Sequence, residues 1–430
     1  MTKTINQPIL NPTKTPPSGG WGATLSGPFT QLLTMDNLPL RGKLSDDQLE
    51  IISDAGILHK EGRILAVGNF EQLRRENPDA EIEFFEGDFV CLPGMIDVHT
   101  HICWAGSRAN DYALRLAGKT YLEIAEAGGG IWSTVMKTRA ASVEELANLT
   151  VERAEKLYQQ GVTTIEVKSG YGLSMDDEIK MLKAIQLANQ KTNAELIPTC
   201  LAAHLKPKDF PGNEREYLQY IIENLLPEVK KQNLANRVDI FVEKGAFSLE
   251  DARYYLSEAK NMGFDVVIHG DQFSANCASL AADFQVISID HLEYADEREI
   301  EILAKSDVIP VALPGASIGL GERFAPARKL LDAGCPLVIA SDWNPGSAPM
   351  GNLLVQAAIL GAYEKLSMAE TWAALTCRAA QALKRNDIGV LKKGNKADFI
   401  VFETNDFREI LYRQMNPLPP NPLKGEFGRV

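Results

Sequence analysis

The feature that most restricts what this chain can fold into is a repeated alternation. Eight short apolar runs of β-type composition recur at 95–99, 162–168, 195–201, 237–242, 265–269, 286–290, 308–313 and 337–341. Runs this short and this apolar read as strands buried on both faces, the environment of a parallel sheet. The segments between them are longer, and those at 143–160, 176–190 and 249–261 carry apolar residues at helical spacing. Eight parallel strands with intervening helices describe an α/β fold, the (β/α)8 TIM-type barrel. A doubly wound sheet is the rival arrangement and usually has fewer repeats.

The two flanks have a different texture. Residues 56–68 read as two strands around an acidic-Gly turn, and Ala397 to Phe402 as a further strand near the other end. Both ends are therefore strand-rich and are expected to pair into one small β-sandwich domain. The expected boundaries are a disordered, polar, Pro-rich leader at 1–20, the small β domain at 21–92 plus 388–430, and the barrel at 93–387. The leader lacks the apolar core of a signal peptide, and no run approaches the ~20 apolar residues of a membrane span.

Composition narrows the partners. A net charge of −13 repels nucleic acid and anionic membranes, so neither is expected as a partner. One local arginine can still reverse the field inside a pocket, so an acidic small molecule remains admissible. The six cysteines are scattered with no close pair, which is neither a disulfide framework nor a Cys-rich zinc module and fits a reducing cytoplasm.

Histidine placement turns the fold argument toward chemistry. In a (β/α)8 barrel, catalytic groups sit at the C-terminal ends of the strands. His99 and His101 end the first run, His204 follows the third, His269 ends the fifth, His291 follows the sixth and Asp342 follows the eighth. Five of the six histidines thus fall at strand ends, and only His59 lies in the β-like flank, where it reads as a surface residue. Residues i and i+2 of an extended chain point the same way, so His99 and His101 can aim two imidazoles at one ion. Imidazole with carboxylate is a donor set for zinc or iron. Cys103 and Trp104 read as packing at the barrel mouth, and Gly128-Gly129-Gly130 as a flexible substrate-side loop, because a Walker lysine and dinucleotide spacing are missing.

These residues carry a family pattern. Pro93-Gly94-Met95-Ile96-Asp97-Val98-His99-Thr100-His101, with His269, His291 and Asp342, resembles the amidohydrolase superfamily. Longer stretches are similar to its imidazolonepropionase family: Ala105-Gly106-Ser107-Arg108, Glu126 to Ile131, Glu166 to Leu173 and Ser341 to Ser347. The resemblance spans roughly residues 30 to 412. It implies a barrel hydrolase with one ion, Zn2+ or Fe3+, held by His99, His101, His269 and Asp342. It further implies 4-imidazolone-5-propanoate as substrate, N-formimidoyl-L-glutamate as product and a homodimer. Arg108, Tyr171, His204, Gln272, Asn344, Gly346 and Ser347 are the implied substrate contacts. Asp342 is the implied base, with His291 beside the attacking water.

Two positions depart from the wider superfamily. Many relatives that act on C–N bonds carry Glu three residues after the strand-five histidine, where it shuttles protons. Here that residue is Gln272, which can donate and accept hydrogen bonds but cannot transfer a proton. Two-metal members place a carboxylated lysine at the end of strand four, where this chain has Glu243 followed by Lys244, which favours a single ion. The alternatives are another cyclic-amide or deaminating amidohydrolase with a different small ring, and a non-catalytic scaffold.

Overall fold

The computed structural model describes residues 22–119, 123 and 127–413. The expected leader at 1–20, Glu126 and the tail beyond 413 lie outside the described residues.

Eight parallel strands form the barrel: β6 Met95–Asp97, β7 Val162–Lys168, β8 Glu195–Ala203, β9 Arg237–Val242, β10 Asp265–Gly270, β11 Ser288–His291, β12 Ile309–Ala312 and β13 Val338–Ile339. They pair in chain order, each with its sequence neighbour. The first and last strands are the shortest, and the ring is completed just beyond their ends. Asp342 N donates to His99 O (3.0 Å), His101 N donates to Trp343 O (3.0 Å), and Ser341 N donates to the buried Asp97 carboxylate (3.0 Å). The seam that closes the barrel therefore runs between the segments carrying three of the expected ligands.

The helices outside follow from their sequence. Helix Val143–Tyr158 starts on a capping box formed by Ser142 and Glu145, and Met175–Asn189 on a Ser174 cap. The first buries Leu146, Ala147, Ala154 and Leu157 on one stripe, matching the apolar spacing. Arg153 on that stripe is buried too. It donates to the carbonyls of Ile102 (2.7 Å) and Trp104 (2.8 Å) and lies 3.4 Å from the centroid of the Trp104 ring. This pins the loop that follows His101, with Cys103 and Trp104 packed as expected.

The second unit is a six-stranded mixed sheet, where two packed layers were expected. Its strands are β1 Thr24–Leu33, β2 Ile51–Lys60, β3 Arg63–Asn69, β4 Glu81–Phe84, β5 Phe89–Pro93 and β14 Phe399–Glu403. The hairpin expected at 56–68 is β2–β3, with Glu61 and Gly62 both at positive φ in its two-residue turn (49° and 68°). β14 pairs antiparallel with β5, so the two ends of the chain share one sheet. His59 corrects the surface reading: it is buried, its Nε2 3.1 Å from Ser26 Oγ. The strand is covered on both sides. Phe70 and Leu73 of helix Phe70–Glu76 pack with Leu58, while Phe29 and Phe399 pack with Ile57.

Candidate metal centre

The chain stays extended past β6, which turns His99 and His101 to the same side. His101 Nε2 lies 3.3 Å from His269 Nε2 and 3.4 Å from Asp342 Oδ1, and His99 Nε2 lies 3.5 Å from that same oxygen. All four residues are buried. Donors about 2.0–2.1 Å from a tetrahedral ion stand about 3.3–3.4 Å apart, so these three separations match edges of such a site; the tight groups are His99, His101 and Asp342 on one side and His99, His269 and His291 on the other. His99 Nε2 is buried without a hydrogen-bond partner. An imidazole nitrogen so placed needs an acceptor for its lone pair, and a cation supplies one. The residues present therefore fit a divalent metal ion.

The far nitrogens of two of the rings are fixed. His99 Nδ1 stands 2.6 Å from Asp290 Oδ2, and His269 Nδ1 stands 2.9 Å from Asp239 Oδ2. With Asp290 accepting, the His99 ring carries its proton on Nδ1 and turns the Nε2 lone pair inward, the carboxylate–histidine–metal arrangement, while Asp239 stands behind His269 as a close charge partner. Burial, followed by the charges of Lys168 for His99 and of His269 for His101, holds both rings well below the usual histidine range and so neutral. Burial raises Asp342 to about 6, opposed by His291. Asp342 (φ 49°) and His291 (φ 93°) both sit in the left-handed backbone region, which costs a non-glycine residue of order 1–3 kcal/mol. That strain falls at two groups expected to act in catalysis.

Around this centre lie most of the other expected residues. His291, His99 and His269 make a second close set of nitrogens, with His291 Nδ1 3.4 Å from the buried Glu293 carboxylate. The His204 ring stacks on His101 (5.5 Å between centroids, 25° between planes), and Tyr171 lies 6.0 Å from His101. His204 Nδ1 is 2.9 Å from the Gly170 carbonyl, which can only accept, so Nδ1 donates and Nε2 is the acceptor. Burial lowers His204 to about 4, and the same cause keeps the Tyr171 phenol protonated. The loop bearing Tyr171 wraps a buried carboxylate: Glu178 accepts from the backbone N–H of Gly170, Gly172 and Leu173.

Arg108 and the loop after β13 meet at the mouth. The Arg108 Nε donates to Asp111 (2.8 Å), which also accepts from Gly130 N (2.8 Å). A Cβ added to Gly346 would stand 2.3 Å from Arg108 Nη1, so a larger residue there would push the guanidinium aside. Asn344 is spent on its own loop: Nδ2 donates to Asp342 O and Ser347 Oγ, and Oδ1 accepts from Gly346 N and Ser347 N, all at 2.8 Å. Gln272 is buried just beyond β10. Glu243 accepts from Phe273 N and Ser274 N and is tied to the Ser274 hydroxyl, so it anchors the loop after β10.

Residues 90–422 match the model of the amidohydrolase family. The chain belongs to that family. Among its relatives are imidazolonepropionases from Alkaliphilus oremlandii, 40% identical over 390 residues (89% of this chain, 92% of the relative), and from Fusobacterium nucleatum, 39% identical over 386 residues (89% and 92%). These place this amidohydrolase among the imidazolonepropionases, enzymes that hydrolyse a small molecule. Solved structures share the fold. An adenosine deaminase from Xanthomonas campestris, solved with zinc, has a TM-score of 0.64 at 16% identity, covering 92% of this chain and 89% of its own. An ochratoxinase from A. niger has 0.64 at 15%, covering 93% of each. Among the described residues no helix is long and apolar enough to cross a membrane.

Several residues of this amidohydrolase centre escape a reading of strand ends. Asp239, Asp290, Glu166 and Lys168 sit inside strand-forming runs, yet all four are buried. The signal was available: ionised groups within fully buried strands must face one another or a bound ion.

Proposed function

We propose that this chain opens the ring amide of 4-imidazolone-5-propanoate with water to give N-formimidoyl-L-glutamate. The observation that carries the reading is the set of four buried donors, three of whose separations match tetrahedral edges, in a chain whose relatives are named imidazolonepropionases. We assign His99, His101, His269 and Asp342 as ligands of a single ion, Zn2+ or Fe3+, both of which take imidazole and carboxylate donors. Such an ion supplies Lewis-acid polarisation and a water acidic enough to attack at neutral pH.

The chain's own residues do the rest. Asp342 accepts the proton of the attacking water. His291, held by Glu293, donates a hydrogen bond to the developing oxyanion. The ring C–N bond breaks, the water oxygen ends in the new carboxylate, and the departing nitrogen takes a proton relayed by Asp342 or His291. Gln272 serves as a hydrogen-bonding group toward the ring, since an amide moves no proton. Arg108, its Nε fixed by Asp111, presents its remaining N–H groups to the propanoate carboxylate. Tyr171 donates to the ring and His204 Nε2 accepts from it. Ser347 and the Gly346 backbone take the product's new polar group, while Asn344 contributes by shaping their loop. Glu243, just past β9, is tied to the neighbouring loop, which supports the reading of a single ion.

The test is a turnover assay on imidazolonepropanoate, following loss of its ultraviolet absorbance, with the bound metal quantified in the same sample. Ring opening with about one zinc per chain supports the reading. Inert imidazolonepropanoate alongside consumption of a purine or pyrimidine rejects it. The resemblance also implies a homodimer, which sedimentation equilibrium would check.

A further inference from the structure

Beneath the ligands lies a group of charges with no evident part in binding substrate. Lys168, at the C-terminal end of β7, is wholly buried. Its Nζ lies 2.8 Å from Glu166 Oε2, 2.8 Å from Asp239 Oδ2 and 3.9 Å from Asp290 Oδ2. The two aspartate oxygens are the ones that meet His269 Nδ1 and His99 Nδ1. Glu166 is itself held by the Thr199 hydroxyl (2.5 Å), with Arg237 Nε at 3.7 Å. Burial works against the ammonium, but Asp239, Glu166 and Asp290 outweigh it and keep Lys168 above the ordinary lysine range.

Three carboxylates cannot stay ionised inside a barrel without a cation among them. Lysine suits the place because its ammonium is a point charge that can face three oxygens from different strands at once. The consequence reaches the metal. Each aspartate can orient its imidazole only if its own oxygen is fixed, and the Lys168 ammonium lies within 4 Å of both oxygens.

We propose that Lys168 is a positioning residue of the metal centre: its ammonium joins Asp239 and Asp290 from β9 and β11, and through them aims His269 and His99 at the ion. It touches neither ion nor substrate, and it sets metal affinity from behind the ligands. The inference rests on the assignment of His99, His101, His269 and Asp342 as ligands.

The experiment uses the full chain, stripped of metal and titrated with zinc against a chromophoric chelator, with cobalt(II) absorption as a second readout. Lys168→Met should weaken zinc binding by about 10- to 100-fold, the usual effect of losing a partner behind a ligand. Lys168→Arg, which keeps the charge but not the shape, should recover part of the affinity and alter the cobalt spectrum. Arg378→Met is the control: it removes another buried cation, one that donates to the carbonyls of Pro39 and Gly42, and should cost stability without changing zinc affinity. If Lys168→Met does not fold, Lys168→Met with Glu166→Gln removes opposite charges together, and its zinc affinity is read instead. Unchanged affinity and an unchanged cobalt spectrum in the folded variants overturn the proposal. Wild-type protein that takes up neither zinc nor cobalt overturns the ligand assignment on which it rests.

Discussion

Arg108 and His101 stand seven residues apart and should fail in different ways when truncated. His101→Ala removes one corner of the donor set, so both bound metal and turnover should disappear. Arg108→Ala leaves the donors alone and removes a charge-assisted contact worth about 1.5–3 kcal/mol, which is about 10- to 150-fold. Its loss should fall mainly on KM, with metal content unchanged. Steady-state kinetics paired with metal analysis checks both, and metal loss in the Arg108 variant would remove its role as carboxylate anchor. Gly346→Ala tests the same contact from the other side. Its new methyl would meet the mobile end of Arg108, not backbone, so KM should rise while thermal stability stays near wild type.

At the scale of elements, the barrel and the mixed sheet are joined where β5 runs into β6 through Gly94. Gly94 N donates to Asp398 O (3.0 Å), and the Asp398 carboxylate accepts from the Thr163 hydroxyl (2.6 Å). A methyl at this position would stand 2.3 Å from Thr163 Oγ1 and 2.7 Å from its Cγ2. Thr163 is β-branched and buried within β7, so it has little freedom to move aside. Gly94→Ala should therefore destabilise by about 1–3 kcal/mol, read as a lower denaturation midpoint. Much at this scale was legible in the order of residues. The run at 237–242 coincides with β9, and 249–261 coincides with its helix, because buried strands and amphipathic helices leave opposite periodicities. Burial by neighbours in space was not legible. His59 looked exposed in a flank that is covered from both sides. Asn344 looked like a substrate contact, although its amide is consumed within its own turn. The Lys168 network was hidden because Asp239 and Asp290 come from different strands than Lys168 and Glu166, and only the closed barrel brings them together.

At the scale of the whole molecule, two long-range couplings make predictions. A ligand held only by the folded state adds stability that grows with occupancy, about 2.7 kcal/mol at one hundred times Kd. Because three of the four donors lie on the seam that closes the barrel, removing the ion with a chelator should lower Tm by several degrees. In His101→Ala the same treatment should change nothing. The second coupling lies toward the N-terminal ends of the barrel strands. Glu195, which begins β8, accepts from Arg385 (2.6 Å) and Lys396 (2.7 Å), so it ties the C-terminal segment to the barrel. Burial alone would raise this carboxyl, but Lys396 and Arg385 outweigh it and hold it below the usual range. A folded pKa below the unfolded one means the contribution is complete above the ordinary carboxylate range, near 4.3, and is lost as pH falls through the folded value. Glu195→Gln should cost about 1–2 kcal/mol at pH 7, because Lys396 and Arg385 lose their shared negative charge, Arg385 keeping only its pairing with Asp387. In acid the wild-type and variant stability curves should converge, since the native carboxylate is then protonated as well. Denaturation midpoints measured from pH 7 down to about pH 2.5 decide this. A gap that stays constant over that range would mean that packing, and not charge, holds the C-terminal segment against β8.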